Sequence, residues 1–254
     1  MPLLNPTLSA ARRSPLDLSR DLLHAGTGLD TLDDLASLRE LAGELHEVDP
    51  VSLAKDAERM AFWLNIYNAL FRHATLERPI AGHLFFHLGL FSRATYRIGI
   101  ETYSLNAIEH GLLRGNRRPP GFPWRTMRRS DRRLAAAPSR LDPRIHFALH
   151  CGARSCPPIR SYVGERVDEQ LDVATRAYFA AEMRVDRERD EVTLPRLLEL
   201  YGADFDDPLA FAADHADLED ARWLRSHRPK VRFGPYDWTV IQRLARTGTS
   251  APHR

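Results

Sequence analysis

Two cysteines and two histidines fall within one short stretch, His146-Phe147-Ala148-Leu149-His150-Cys151-Gly152-Ala153-Arg154-Ser155-Cys156. A cysteine delivered to a tight turn can be a nucleophile. Its thiolate attacks an acyl carbon once a base has taken its proton and a further group orients that base. Cys151 is the candidate nucleophile. Ile145, Phe147 and Leu149 alternate with His146, Ala148 and His150, which is the period of a strand. Adjacent strand positions face opposite sides, so His150 and His146 are poor partners for Cys151. His110, on a separate helix, is the freer base, and Glu109 or Asn68 is the candidate positioning group. The amides after Cys151 could form an oxyanion site.

The same side chains admit other chemistries. His146, His150, Cys151 and Cys156 are zinc-ligand types. Their C-x4-C spacing is loose, no second pair stands elsewhere, and no metal is expected. Free cysteines also pack as small hydrophobes, and a reversible Cys151–Cys156 bridge is open to a loop that folds back. Ser155 has no base to activate it and reads as a turn cap. A non-enzymatic alternative uses a polar stripe as a pocket for a small polar or anionic ligand: Asn65, Asn68 and Arg72, which share one helix face, together with Glu109, and with His146, Ser155 and Cys156 as further ligand-binding candidates. Those asparagines have a structural reading too, since a buried amide left unbonded costs about 1–3 kcal/mol.

Elements must hold these groups. Thr31 opens a helix to about Glu47 with Leu32, Leu35, Leu38, Ala42 and Leu45 as its stripe. A second helix, about Ser52–Leu76, is apolar nearly all round from Met60 to Phe71, the pattern of a buried helix. Leu84-Phe85-Phe86 and Tyr96 to Tyr103 look β-rich. Ser104 opens a helix to Arg114 whose inner stripe is Leu105, Ile108 and Leu112. Glu109 lies on or beside that stripe, and His110 is about 100° away. Residues 114–140 hold nine arginines and four prolines and predict an exposed, partly disordered loop.

Composition excludes several classes. The chain has 254 residues, 43% hydrophobic, and a formal charge of +2, so a globular core is expected and no nucleic-acid partner is signalled. Lys55 and Lys230 are the only lysines. No apolar run approaches the ~18 residues of a membrane span. The first residues lack a signal-peptide core, so the cytoplasm is expected, with both cysteines as thiols.

Several stretches carry a resemblance. Ala61–Leu70, Tyr103–Arg114, Asp142–Leu149 running into Cys151–Pro158, then Tyr201–Phe205 and Tyr236–Trp238, resemble the DUF547 family, a domain of unknown function found in bacteria and plants. They stand in the family's order over about residues 50–240. The resemblance implies a single domain and singles out Asn65, Asn68, Glu109, His110, His146, Cys151 and Cys156. His150 and Gln242 depart from it where asparagines are expected.

The expected fold is α+β, a mostly helical domain with a buried central helix on a small, mainly antiparallel sheet built from about 94–103, 144–151, 190–195 and 230–238, by analogy papain- or transglutaminase-like. A flexible segment with one weak helical stretch near Leu16–His24 is expected over 1–28, one domain over 29–245 with its core at 50–240, and a disordered tail over 246–254. The expected function is a cysteine-dependent hydrolase or acyl transferase acting on a small molecule or peptide. No cofactor is expected. Substrate and oligomeric state are not legible.

Overall fold

The computed structural model describes residues 3–8, 10, 13–28 and 32–240. Thr31, Gln242 and the expected tail lie outside them. The fold is α+β and mostly helical. It is organised on one helix, α3, preceded by α1 (Pro15–Thr27) and α2 (Leu32–Gly43). α3 spans Asp56–Glu77, and every residue from Met60 to Phe71 is buried. That is the behaviour its all-round apolar sequence requires. Trp63 is fully buried and its indole N–H donates to the Ala136 carbonyl at 2.8 Å.

The stretch expected as a flexible N-terminal segment contains α1. Ser14 caps it, Pro15 fills its first turn, and Leu18, Leu22 and Leu23 are buried. α1 packs against α3, and the Gly26 carbonyl accepts from Arg72 Nε at 3.2 Å. α2 is shorter than expected: a 3₁₀ turn, Glu44–Glu47, completes the predicted helix, with Leu38, Ala42 and Leu45 all buried.

Two small sheets flank this core. After the short α4 (Gly89–Arg93), β1 (Thr95–Ile98) and β2 (Glu101–Ser104) form an antiparallel hairpin. Gly99 at the turn has φ 58°, and a Cβ there would stand 2.7 Å from the Val48 carbonyl oxygen. Further on, α5 (Val167–Glu182) leads to β3 (Arg184–Asp186) and β4 (Glu191–Leu194), which pair antiparallel. Then α6 (Arg196–Leu200), α7 (Pro208–His215) and α8 (Leu218–Ser226) lead to β5 (Lys230–Phe233), which lies parallel to β4. α5 to α8 and β4 enclose a second apolar cluster around Phe147, Phe179 and Phe205.

Three local expectations are corrected. Residues 143–147 are a 3₁₀ turn, not a strand. Asp142 caps it and Pro143 opens it, and among the described residues no neighbouring strand supplies a ladder. The Asn68 side chain instead bonds the Ala148 carbonyl and the His150 amide. Leu84–His87 is also a 3₁₀ turn, capped by His83, and it leaves Phe85 and Phe86 exposed. The arginine-rich loop is anchored rather than loose. Asn116 is buried and exchanges two hydrogen bonds with the Met127 backbone, at 3.0 and 3.2 Å.

His73 on α3 gives the fold an acid sensitivity. It is fully buried, bonded to the Tyr96 hydroxyl at 2.8 Å, and burial pulls its pKa from 6.5 to about 4. The folded ring is neutral, so the unfolded chain takes the proton first as pH falls. The stability His73 contributes is complete above pH 6.5 and is lost on descending to about pH 4, at about 1.36 kcal/mol per pH unit or about 3 kcal/mol in all. Urea unfolding across that window should show the loss. His73→Gln should flatten the slope by about one proton, and an unchanged slope would place the sensitivity elsewhere.

Candidate functional site

The site begins with a helix that is too wide. Ala107–Leu113 is a π-helix, closed by the Arg114 amide donating to the Glu109 carbonyl at 2.8 Å. Every residue from Ala107 to Leu113 is buried, so the segment is enclosed all round and Glu109 and His110 are both covered although they point in different directions. Inserted π turns are frequent at functional sites. A Cβ on Gly111 would collide with Met127 at 2.7 Å, so the arginine-rich loop lies directly on this turn.

Glu109 has two tyrosine partners. The Tyr67 hydroxyl donates to Oε2 at 3.1 Å and the Tyr201 hydroxyl to Oε1 at 2.7 Å. Burial pushes the Glu109 carboxyl up, but the donors and positive charge around it, the Tyr201 hydroxyl and Arg114 among them, outweigh it, and its pKa is net lowered. Burial raises both tyrosines well above their ordinary value, so they stay protonated as donors.

Behind them sits a buried ion cluster. Arg114 donates to both oxygens of Asp204, at 2.5 and 3.0 Å. His146 Nε2 donates to Asp204 Oδ2 at 2.9 Å, and its ring stacks on Tyr201 with centroids 3.8 Å apart. Burial opposes the charge on Asp204, but His146 and Arg114 hold its carboxyl well below the usual range. Arg114 also points Nη1 at His110 Nδ1, 3.0 Å away. A guanidinium only donates, so Nδ1 must carry the lone pair and Nε2 the proton. Burial lowers the pKa of His110, in keeping with a neutral ring.

The cysteines meet this cluster from the loop after the 3₁₀ turn. Asn68, fully buried, fixes that loop at Ala148 and His150. Gly152 has φ 90°, and a Cβ there would stand 2.6 Å from the Phe71 ring. The chain then curls so that the Cys151 amide donates to Cys156 Sγ at 3.1 Å. The segment Gly234–Val240 straps this turn down: Arg154 and Ser155 amides donate to Thr239 and Asp237 carbonyls, and Ser155 Oγ accepts from the Asp237 amide at 2.9 Å. It also delivers Tyr236, whose hydroxyl lies 3.3 Å from Cys156 Sγ and 3.8 Å from Cys151 Sγ.

The two thiols are not equivalent. Burial raises Cys156, but the Cys151 thiol, the nearby His150 ring, the Tyr236 hydroxyl and the Cys151 amide together bring it below the ordinary value. The Cys156 sulfur and burial push Cys151 well up. The first proton lost from the pair therefore leaves its charge on Cys156, with Cys151 as the donor.

One cavity of about 590 Å³ joins these groups, with Tyr67, Glu109, His110, Cys151, Tyr201 and Tyr236 in its wall. The expected site residues thus divide. Cys151, His110 and Glu109 share the cavity, although no hydrogen bond among the described residues joins His110 to either sulfur. Cys156 sits behind Cys151. Asn65 exchanges two bonds with the Tyr162 backbone, at 2.8 and 2.9 Å. Asn65, Asn68 and Arg72 thus bind backbone and are not in the cavity wall, which supports their structural reading over the polar-stripe pocket. His146 holds Asp204 and backs Tyr201, and Ser155 ties the strap. Among the described residues, no three of His, Cys, Asp and Glu come together as a metal-ligand set. None of their helices is long and apolar enough to cross a membrane.

Sequence reasoning missed Tyr67, Arg114, Tyr201, Asp204 and Tyr236 as site members. All five stand inside the stretches that carry the resemblance, which was the available signal. A family model described as protein of unknown function, DUF547, matches residues 51–179. No curated protein and no solved structure matches the chain.

Proposed function

The chain belongs to the DUF547 family, whose description assigns no activity, and we propose that this member is a thiol-dependent hydrolase or acyl transferase with Cys151 as nucleophile. The observation that carries the reading is the thiol pair at the cavity: Cys151 lines it, and Cys156, behind it, accepts an N–H and lies within reach of the Tyr236 O–H. A buried sulfur given donors is stabilised as thiolate. Cys156 then serves as base. As the Cys151 sulfur attacks an acyl carbon, its proton passes to Cys156.

The step balances without a further reactant. The Cys151 C–S bond forms, the bond from the acyl carbon to its oxygen or sulfur leaving group breaks, and the leaving group takes the proton from Cys156. Water, or an acceptor alcohol or amine, then attacks the thioester, releases the acyl group and returns the thiol. His110, with its proton on Nε2, is cast as a hydrogen-bond donor to the developing oxyanion rather than as the base. Glu109 is a positioning residue. It fixes two tyrosine hydroxyls in the wall, and a carboxylate has lone pairs left over for an incoming O–H or N–H.

The test is turnover of p-nitrophenyl esters by the full chain. Cys151→Ala should abolish nitrophenol release and leave the unfolding transition in place. Retained turnover would remove Cys151 from the chemistry. Loss of folding would make the thiol a packing group and leave the cavity as a binding site.

A further inference from the structure

The cavity reverses the polarity expected of a protein surface. Its sealed end is polar, formed by Tyr67, Glu109 and His110, all less than 9% exposed. Its rim is mainly apolar: Leu88, Phe122 and Trp124 line the opening and are 46%, 52% and 66% exposed, with Ser92 and Arg125 as exposed polar neighbours. Phe85 and Phe86, on the turn that also carries Leu84 into the wall, extend this rim and are 67% and 82% exposed. The rim comes from two separate chain segments, and the aromatics on each are edge-paired, with centroids 6.2 Å apart in both cases. Large apolar side chains gathered at one opening mark a binding surface.

Between rim and base, Leu84, Phe91 and Leu197 are buried in the wall, and Trp238 from the strap joins them. These offer dispersion and almost no hydrogen bonds. The wall also holds Ser92, Ser104, Asn106, Arg125 and Thr126, so a peptide or a sugar would meet some polar partners but leave the groups facing the apolar side chains unpaired, at a cost of about 1–3 kcal/mol each. The occupant is therefore polar at its inner end and apolar along the rest.

Resting on the acyl-transfer reading, we propose that the cavity takes an amphiphilic acyl donor, an ester or thioester of a linear apolar chain. Its carbonyl lies at Cys151, and its chain runs past Leu84, Phe91 and Leu197 to emerge between Leu88, Phe122 and Trp124. The size agrees, since about 590 Å³ falls within the range of roughly 300–1,000 Å³ usual for small-molecule sites.

The test separates binding from chemistry. The Cys151→Ser full chain is titrated with dansyl-undecanoic acid, and the bound probe is displaced with fatty acids from butyrate to decanoate. Displacement should strengthen about threefold to fourfold per methylene, the equivalent of about 0.8 kcal/mol each. Leu88→Asp and Trp124→Ser, both at exposed positions, should weaken probe binding about tenfold or more while the melting curve stays put. An absent or unsaturable signal, equal displacement by butyrate and decanoate, or indifference to both rim substitutions would each overturn the inference. Chain-length-dependent binding with Cys151 never acylated upholds the inference and overturns the thiol chemistry. Acylation of Cys151 without chain-length preference does the reverse.

Discussion

Asp204→Ala should lower the free energy of unfolding by about 3–5 kcal/mol, the largest stability effect expected of any single substitution in this site. Asp204 is the shared acceptor of Arg114 and His146, and Arg114 is only 2% exposed. Removing the carboxylate leaves a buried guanidinium without its counter-charge and a buried imidazole N–H without an acceptor. Both penalties are those of orphaned partners rather than of a lost surface pair. Asp204→Asn, which keeps the shape and one acceptor, should cost less. The damage should also spread to the cavity, because Tyr201 is stacked on His146 and lies beneath Arg114, whose Cζ is 5.0 Å from the ring centre. Urea unfolding followed by circular dichroism measures the effect. A loss under about 1 kcal/mol, the range of exposed ion pairs, would show that the cluster is better solvated than its geometry indicates.

Cys156→Ser should change the chemistry more than the fold. With Cys156 present, the first ionisation of the pair leaves its charge on a sulfur that accepts the Cys151 amide N–H, so that sulfur is ready to take the Cys151 proton below the range of an ordinary cysteine. Serine does not ionise near neutral pH. Cys151 would then have to carry the charge itself, against burial. Alkylation of Cys151 by iodoacetamide should lose the limb whose onset follows the ionisation of Cys156, and the rate at pH 7 should fall about tenfold or more, as the loss of a general base requires. Peptide mapping assigns the adduct to Cys151. A profile that does not move on losing Cys156 would remove it from the role of base. His110→Ala serves as the contrast: a donor to the oxyanion should leave the alkylation midpoint in place and slow acyl transfer.

Parts of this arrangement were legible in the residues. The all-apolar middle of α3 announced a buried helix, and Asn65 and Asn68 within it had to find partners. Which partners could not be read, because they are backbone groups 80 or more positions along the chain. The alternation of Ile145 to His150 imitated a strand. It failed because the Asp142-Pro143 pair starts a tight turn and Asn68 takes the bonds a neighbouring strand would have supplied. The 100° spacing that set His110 aside from Glu109 assumed one buried face, whereas every residue of Ala107–Leu113 is buried. The tyrosines were hidden by their own chemistry: buried in an apolar pattern they look like core, and nothing local shows a hydroxyl meeting Glu109 from α3 and another from after α6.

The central claim is that Cys151 takes up an acyl group inside this cavity. The direct measurement is the intact mass of the full chain seconds after mixing with p-nitrophenyl decanoate at pH 7, followed by peptide mapping. The account predicts one decanoyl group on Cys151, released by hydroxylamine and absent from a folded Cys151→Ala chain. No adduct on a folded protein, or one carried by Cys156 or by a residue outside the cavity, would contradict it.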